Sequence, residues 1–169
     1  MSEGWSKLID IDLLADGKVE FEFVVPLSHM PRVPREFVRS ETGRLNEVRA
    51  TVAFGREMSR VLARVALTGT LELICQRCMR PMQWPLESSS RAVLIGAESE
   101  AEHLPPGTET VLAADRKIRL IDLIEEELLL ALPRVPMHER AAREDAAADA
   151  AQPVQRPFEQ LGELLKRRT

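Results

Sequence analysis

Between Val61 and Leu73 the chain alternates with a period of two. Val61, Ala63, Val65, Leu67, Leu71 and Leu73 are apolar, while Arg64, Thr68, Thr70 and Glu72 fall between them. That pattern predicts a long strand with one face buried and one wet. After a short gap, Met82, Trp84 and Leu86 alternate with Gln83, Pro85 and Glu87, so the two segments read as a hairpin turning over Cys75–Arg80. Upstream, Val19, Phe21, Phe23 and Val25 predict a strand ending at Pro26. Val48, Ala50, Val52 and Phe54 predict another, with Gly55-Arg56-Glu57 as the turn into the long strand. Ala92–Ile95 is placed at the end of a strand, and Thr110–Leu112 and Lys117–Leu120 are short strands around an Asp115-Arg116 turn. Strand following strand through short turns favours an antiparallel sheet.

The period then changes. Ile121, Ile124, Leu128, Ala131 and Leu132 form a stripe at helical spacing, with Asp122, Glu125 and Glu126 opposite. Asp122 is expected as the N-cap with Glu125 completing a capping box, and Pro133 ends the helix. The run Glu125-Glu126-Glu127 reads as a solvated acidic face, because consecutive helical positions diverge and no metal-binding histidine pattern accompanies them. Arg134–His138 is a rigid extended exit. Residues 1–138 are thus expected to form a single α+β domain carrying the Cys-x-x-Cys hairpin. Residues 139–156 read as a flexible linker and 157–169 as a short amphipathic, basic C-terminal helix. The fold class is α+β: a largely antiparallel sheet or partly open barrel with a helix packed on it over about 122–132.

Composition narrows the function. Of 169 residues 44% are hydrophobic, aromatics are 4% with no tyrosine, and the net charge is −4. Aromatic platforms for stacking nucleic-acid bases are scarce, and contact with nucleic acid must use local patches. One such patch is visible: Arg56, Arg60, Arg64, Arg77, Arg80 and Arg91 face only Glu57, Glu72 and Glu87 in that stretch. Arg64, Arg77 and Arg80 are expected to line one wet surface near the hairpin tip, with Lys166, Arg167 and Arg168 as a second basic patch. Acidic residues among the first twenty argue against a signal or transit peptide, and the longest apolar run, Leu128–Leu132, is too short to span a bilayer. A cytoplasmic protein is expected.

The chain has two cysteines, Cys75 and Cys78. A Cys-x-x-Cys turn suits half of a tetrahedral metal site. It also occurs as a redox pair, but that arrangement should open a helix, and here a strand-like run follows. A third reading is two small buried residues without chemistry. Histidines 29, 103 and 138 sit in separate contexts without an acidic metal-binding pattern, so no nuclease constellation is present and no enzyme is expected.

Three blocks of the chain resemble a known family. They are Cys75-Gln-Arg-Cys78 after a long strand, Ile121-Asp122-Leu123 through Pro133 and on to Val135-Pro136-x-His138, and Pro157-Phe158-x-x-Leu161 before a basic end. In this order they resemble the YceD-like proteins, called large ribosomal RNA subunit accumulation proteins. The resemblance implies a bacterial ribosome biogenesis factor that promotes accumulation or processing of 23S ribosomal RNA, expected to act by binding precursor RNA. The alternative is a protein-interaction module that docks a ribosomal protein or assembly factor and affects RNA indirectly. Many relatives carry further cysteines after the proline-rich exit, suggesting a zinc-like cluster. Here that stretch has none. Cys75, Cys78 and His138 remain as candidate ligands, with Glu139, Glu144, Asp145 or a water as the fourth, so no cofactor is expected except zinc as a lesser possibility.

Overall fold

The computed structural model describes residues 4–38 and 46–138. The expected linker (139–156) and C-terminal helix (157–169), with Lys166, Arg167 and Arg168, lie outside the described residues. The chain runs through β1 (Leu8–Asp10), α1 (Ile11–Asp16), β2 (Glu20–Pro26), α2 (Arg35–Val38), β3 (Glu47–Glu57), β4 (Arg60–Ile74), β5 (Pro81–Ile95), β6 (Thr110–Leu112), β7 (Lys117–Arg119) and α3 (Leu120–Ala131). The five-stranded sheet has the order β2-β3-β4-β5-β6, and a small second sheet pairs β1 with β7. All neighbours in the large sheet are antiparallel except β5 and β6, which are parallel. The sheet curls into a half-barrel, and the α+β architecture expected from the pattern is the one found.

Alternation explains the core. Val48, Ala50, Val52 and Phe54 of β3 and Val61, Ala63, Val65, Leu67, Leu71 and Leu73 of β4 are all buried on one face. Helix α3 covers that face of β4 and β5, and α1 packs against β3 and β4. The residues between them point to the wet side, where Arg64 stands directly across from Ala53 and Arg91.

Several details differ from the sequence reading. The turn between β3 and β4 is not Gly55-Arg56-Glu57. The ladder continues to Glu57↔Arg60, and the reversal is made by Met58 and Ser59, with φ of 47° and 69°. Both angles are left-handed, as the two-residue hairpin turn matching strand twist demands. Met82–Leu86 and Ala92–Ile95 belong to one continuous strand, β5. Pro81 and Pro85 are tolerated there because β6 reaches only Val93–Ile95, so that among the described residues the proline-bearing half of β5 has a strand neighbour, β4, on one side only. Asn46, buried, extends the β3–β4 pairing with its side chain. Its Oδ1 accepts from the Glu72 backbone N–H (3.0 Å), and its Nδ2 donates to the carbonyls of Glu72 (2.9 Å) and Phe37 (2.8 Å).

Helix α3 begins at Leu120 with Arg119 as N-cap, and the expected capping box does not form. Asp122 instead takes the Arg119 guanidinium (2.9 and 3.0 Å). Nor is Glu125-Glu126-Glu127 a solvated face: Glu125 and Glu127 are each 4% exposed. The reason is that α3 is covered on two sides. The sheet lies on one, where Ser88 donates its hydroxyl to Glu127. The loop after β2 lies on the other, where the Arg32 backbone N–H (2.6 Å) and Nε (3.0 Å) both donate to Glu125. Glu126 alone of the three is exposed, and it takes Arg32 Nη1 at 2.8 Å. The helix stops at Ala131, with Leu132 extended (φ −66°, ψ 137°) ahead of Pro133.

Candidate functional site

The tip of the β4–β5 hairpin is the turn that the alternation located. Strand β4 ends at Ile74 and β5 begins at Pro81. Between them the Cys75 N–H donates to the Arg80 carbonyl, and the Met79 N–H donates to the Cys75 carbonyl, both at 2.9 Å. Met79 has φ of 56°, a left-handed conformation that costs a side-chain-bearing residue about 1–2 kcal/mol. This knuckle turns Cys75 inward, where it is fully buried, and leaves Cys78 half-buried. Gln76, Arg77, Met79 and Arg80 are exposed.

The exit from α3 returns to this tip. Pro136 is buried, and its carbonyl accepts the Gln76 N–H at 2.9 Å. Cys75 and Cys78 each offer a sulfur, and the two lie within 4.8 Å of each other. The third ligand named from the sequence, His138, belongs to a second unit of the chain, residues 137–169. Two thiols at this spacing suit a borderline-soft cation such as zinc and supply two of the four ligands that a closed tetrahedral site needs. The strand after Cys78 also removes the helix N-terminus a redox pair would use.

The arginines do not form one surface. Arg64 is ten residues up β4 from Ile74, roughly 33 Å at 3.3 Å per residue, so it stands far from Arg77 and Arg80. It lines a separate shallow depression with Lys18, Arg56, Glu57 and Arg91. Two of those cations are engaged by carboxylates. Arg91 is paired with Glu57. Arg56 donates to Asp12 (3.0 Å) and Asp16 (2.8 Å). Arg116 also grips Asp12, from Nε to Oδ2 at 2.6 Å and from Nη2 to Oδ1 at 2.8 Å. These hydrogen bonds, Arg116 first and Arg56 second, hold the Asp12 carboxyl down at about 2. Asp12 and Asp16 lie outside the arginine-rich stretch, so a count along the sequence could not subtract them.

The other histidines stand apart. His29 meets Trp5 edge-to-face at 5.1 Å, and the His103 ring shares a 3.0 Å hydrogen bond with the Ser99 carbonyl on an exposed turn.

Residues 63–165 match the family described as Large ribosomal RNA subunit accumulation protein YceD. The chain belongs to this family. The matched stretch contains most of β4, the cysteine knuckle, β5 and α3 together. A YceD protein of Haemophilus influenzae, named a large ribosomal RNA subunit accumulation protein, is 38% identical over 69 residues, which is 40% of this chain and 40% of that relative. The chain thus aligns with less than half of that YceD relative's length. No solved structure matches. Among the described residues no helix is long and apolar enough to cross a membrane.

Proposed function

We propose that this protein promotes accumulation of large-subunit ribosomal RNA by binding 23S RNA or its precursor in the cytoplasm, without catalysing a reaction. The observation that carries this reading is the family match over residues 63–165, which takes in the knuckle and its arginines. Arg77 and Arg80 are exposed at the end of a stiff hairpin, where they reach phosphates on a partner larger than the domain. Contacts of this kind position a protein on RNA without reading its sequence. The scarcity of aromatic residues agrees with a phosphate-directed, shape-directed contact rather than one that stacks bases. Arg64 and its neighbours, on the wet face of the sheet, form a second and weaker contact.

The test is sequencing of RNA cross-linked to the protein in cells, with the Arg77→Ala/Arg80→Ala double variant as control. Large-subunit RNA adducts that fall sharply in the variant are expected. In vitro, losing two phosphate contacts should lower the slope of log affinity against log salt by about 1.4 for single-stranded RNA. Adducts to proteins alone would refute direct binding. They would favour the docking-module reading, which has one observation behind it: Arg32, Arg49, Arg56 and Arg91 are each taken up by carboxylates of this chain.

A further inference from the structure

We propose that the cleft between α3 and β5 takes an extended, lysine- or arginine-bearing segment of a partner protein, which pairs with the outer edge of β5 at Glu87–Arg91 and sets one cation on Glu127. The site is separate from the hairpin tip, and the proposal does not rest on RNA binding. Three observations meet there. The first is space. On the inner face of β5 the large residues Leu86 and Leu94 are buried, but the positions between them are Ser88, Ser90 and Ala92, each half-buried. These small side chains do not fill the distance to α3, and a cleft of about 370 Å³ remains beside them. Leu123, Glu127 and Leu130 line it from α3, at the i, i+4 and i+7 spacing that shares one helix face. Leu130 is 76% exposed, so apolar surface stands uncovered at the mouth.

The second observation is charge. Glu127 is 4% exposed and takes a hydrogen bond from the neutral Ser88 hydroxyl. A glutamate so buried ordinarily has a cation beside it. Of the carboxylates around the cleft, Glu126 has Arg32. Among the described residues Glu109 and Glu127 have no such partner, and no lysine or arginine lines the walls. The third observation is an open strand edge. The Val93 N–H donates outward to the Glu109 carbonyl, so by the two-residue repeat the N–H and C=O groups of Glu87, Ser89 and Arg91 point to the same side. Strand β6 pairs with β5 only from Val93 onward, and among the described residues no backbone group bonds those three on that side. A strand added there turns alternate side chains toward α3. A basic residue at one inward position reaches Glu127, and an apolar residue two positions away covers Leu123 and Leu130. The edge hydrogen bonds supply affinity, and the buried carboxylate selects the cation.

The test uses the full chain and two fluorescent peptides of about seven residues, the length of an ordinary strand. One alternates threonine with lysine and valine in turn; the other has glutamate in place of lysine. Fluorescence anisotropy should show the lysine peptide binding and the glutamate peptide at least about tenfold weaker. Glu127→Gln keeps the side chain's shape and should weaken the lysine peptide at least about tenfold, the loss that follows from a hydrogen bond to a charged group. Ser89→Pro removes one outward amide from a strand that already holds Pro81 and Pro85, so the fold tolerates it, and affinity should fall at least about threefold. Hydrogen exchange at the Ser89 and Arg91 amides should slow when the lysine peptide is added. No binding at millimolar peptide, equal binding of the two peptides, or unchanged affinity in either variant would overturn the proposal. So would self-association of the protein that Ser89→Pro abolishes, because the occupant would then be a second copy of this chain.

Discussion

The buried carboxylate of Glu125 offers the sharpest test of how this fold is held. Glu125→Gln keeps the side chain's shape but replaces one acceptor oxygen with a donor. In the native protein Oε1 accepts the Arg32 backbone N–H at 2.6 Å and Oε2 accepts Arg32 Nε at 3.0 Å. One of these must be lost, and the lost one becomes a donor facing a donor. A hydrogen bond to a charged group contributes about 1.5–3 kcal/mol. The Arg32 side chain is 49% exposed and recovers part of its loss from water and from Glu126, whereas the Glu125 side chain is 5% exposed and recovers little. The expected destabilisation is therefore about 2 kcal/mol, below the roughly 3–5 kcal/mol of a fully buried charged pair because Arg32 is half-exposed. Glu126→Gln removes a bond between two half-exposed groups (49% and 53%) and should cost no more than about 0.5 kcal/mol. Urea unfolding measures both. With a slope of about 1–3 kcal/mol per molar, Glu125→Gln should lower the midpoint by roughly 1 M and leave the slope unchanged. At about 2–4 °C per kcal/mol, the melting temperature should fall by about 4–8 °C. Equal midpoints for the two variants would show that Arg32 does not clamp α3, and the account of why this acidic run is buried would be wrong.

Asn46→Ala removes three hydrogen bonds to backbone groups and should destabilise by about 3 kcal/mol in the same assay, at about 1 kcal/mol each. Replacing Met58-Ser59 by Asn-Gly relieves two left-handed non-glycine residues and should raise stability by about 1 kcal/mol; a lower midpoint would contradict the turn assignment. Asp12, held at about 2 from an ordinary value of 3.8, binds its proton less readily folded than unfolded. Its contribution is complete above pH 3.8 and is lost as pH falls through about 2. Because its side chain is 36% exposed, Asp12→Asn should cost no more than about 1 kcal/mol at neutral pH and flatten the acid limb of the stability curve.

The strands were legible because a half-buried antiparallel strand writes its two faces alternately into the sequence; β3 does so throughout, and β4 does so on either side of the exposed Gly69. The hairpin over Cys75–Arg80 followed from that alternation and the cluster of polar residues between the two runs. Where the reading failed, the cause was packing between distant segments. Nothing near Glu125 announces Arg32, ninety-three residues away in sequence, so an acidic helical run looked like a wet face. The turn at Met58 and Ser59 carries neither glycine nor asparagine, and Gly55 drew the boundary to itself. Pro85 divided β5 into two pieces on paper, since a lone sequence does not say whether a strand has one neighbour or two. At the candidate site the spacing of Cys75 and Cys78 was readable, whereas the return of the α3 exit to the knuckle, through the Gln76–Pro136 hydrogen bond, depends on the direction in which α3 delivers it.

Among the described residues, half of β5 therefore runs along the rim of the curled sheet with no strand on its outer hydrogen-bonding side, where an extended peptide, including the same strand of another molecule, could pair. Two prolines in that half lack the amide hydrogens such a newcomer would need, which breaks the template at Pro81 and Pro85. The residues that blurred the strand in the sequence thus act as guards against stacking between copies, leaving the long hairpin free to project into solvent without seeding aggregates.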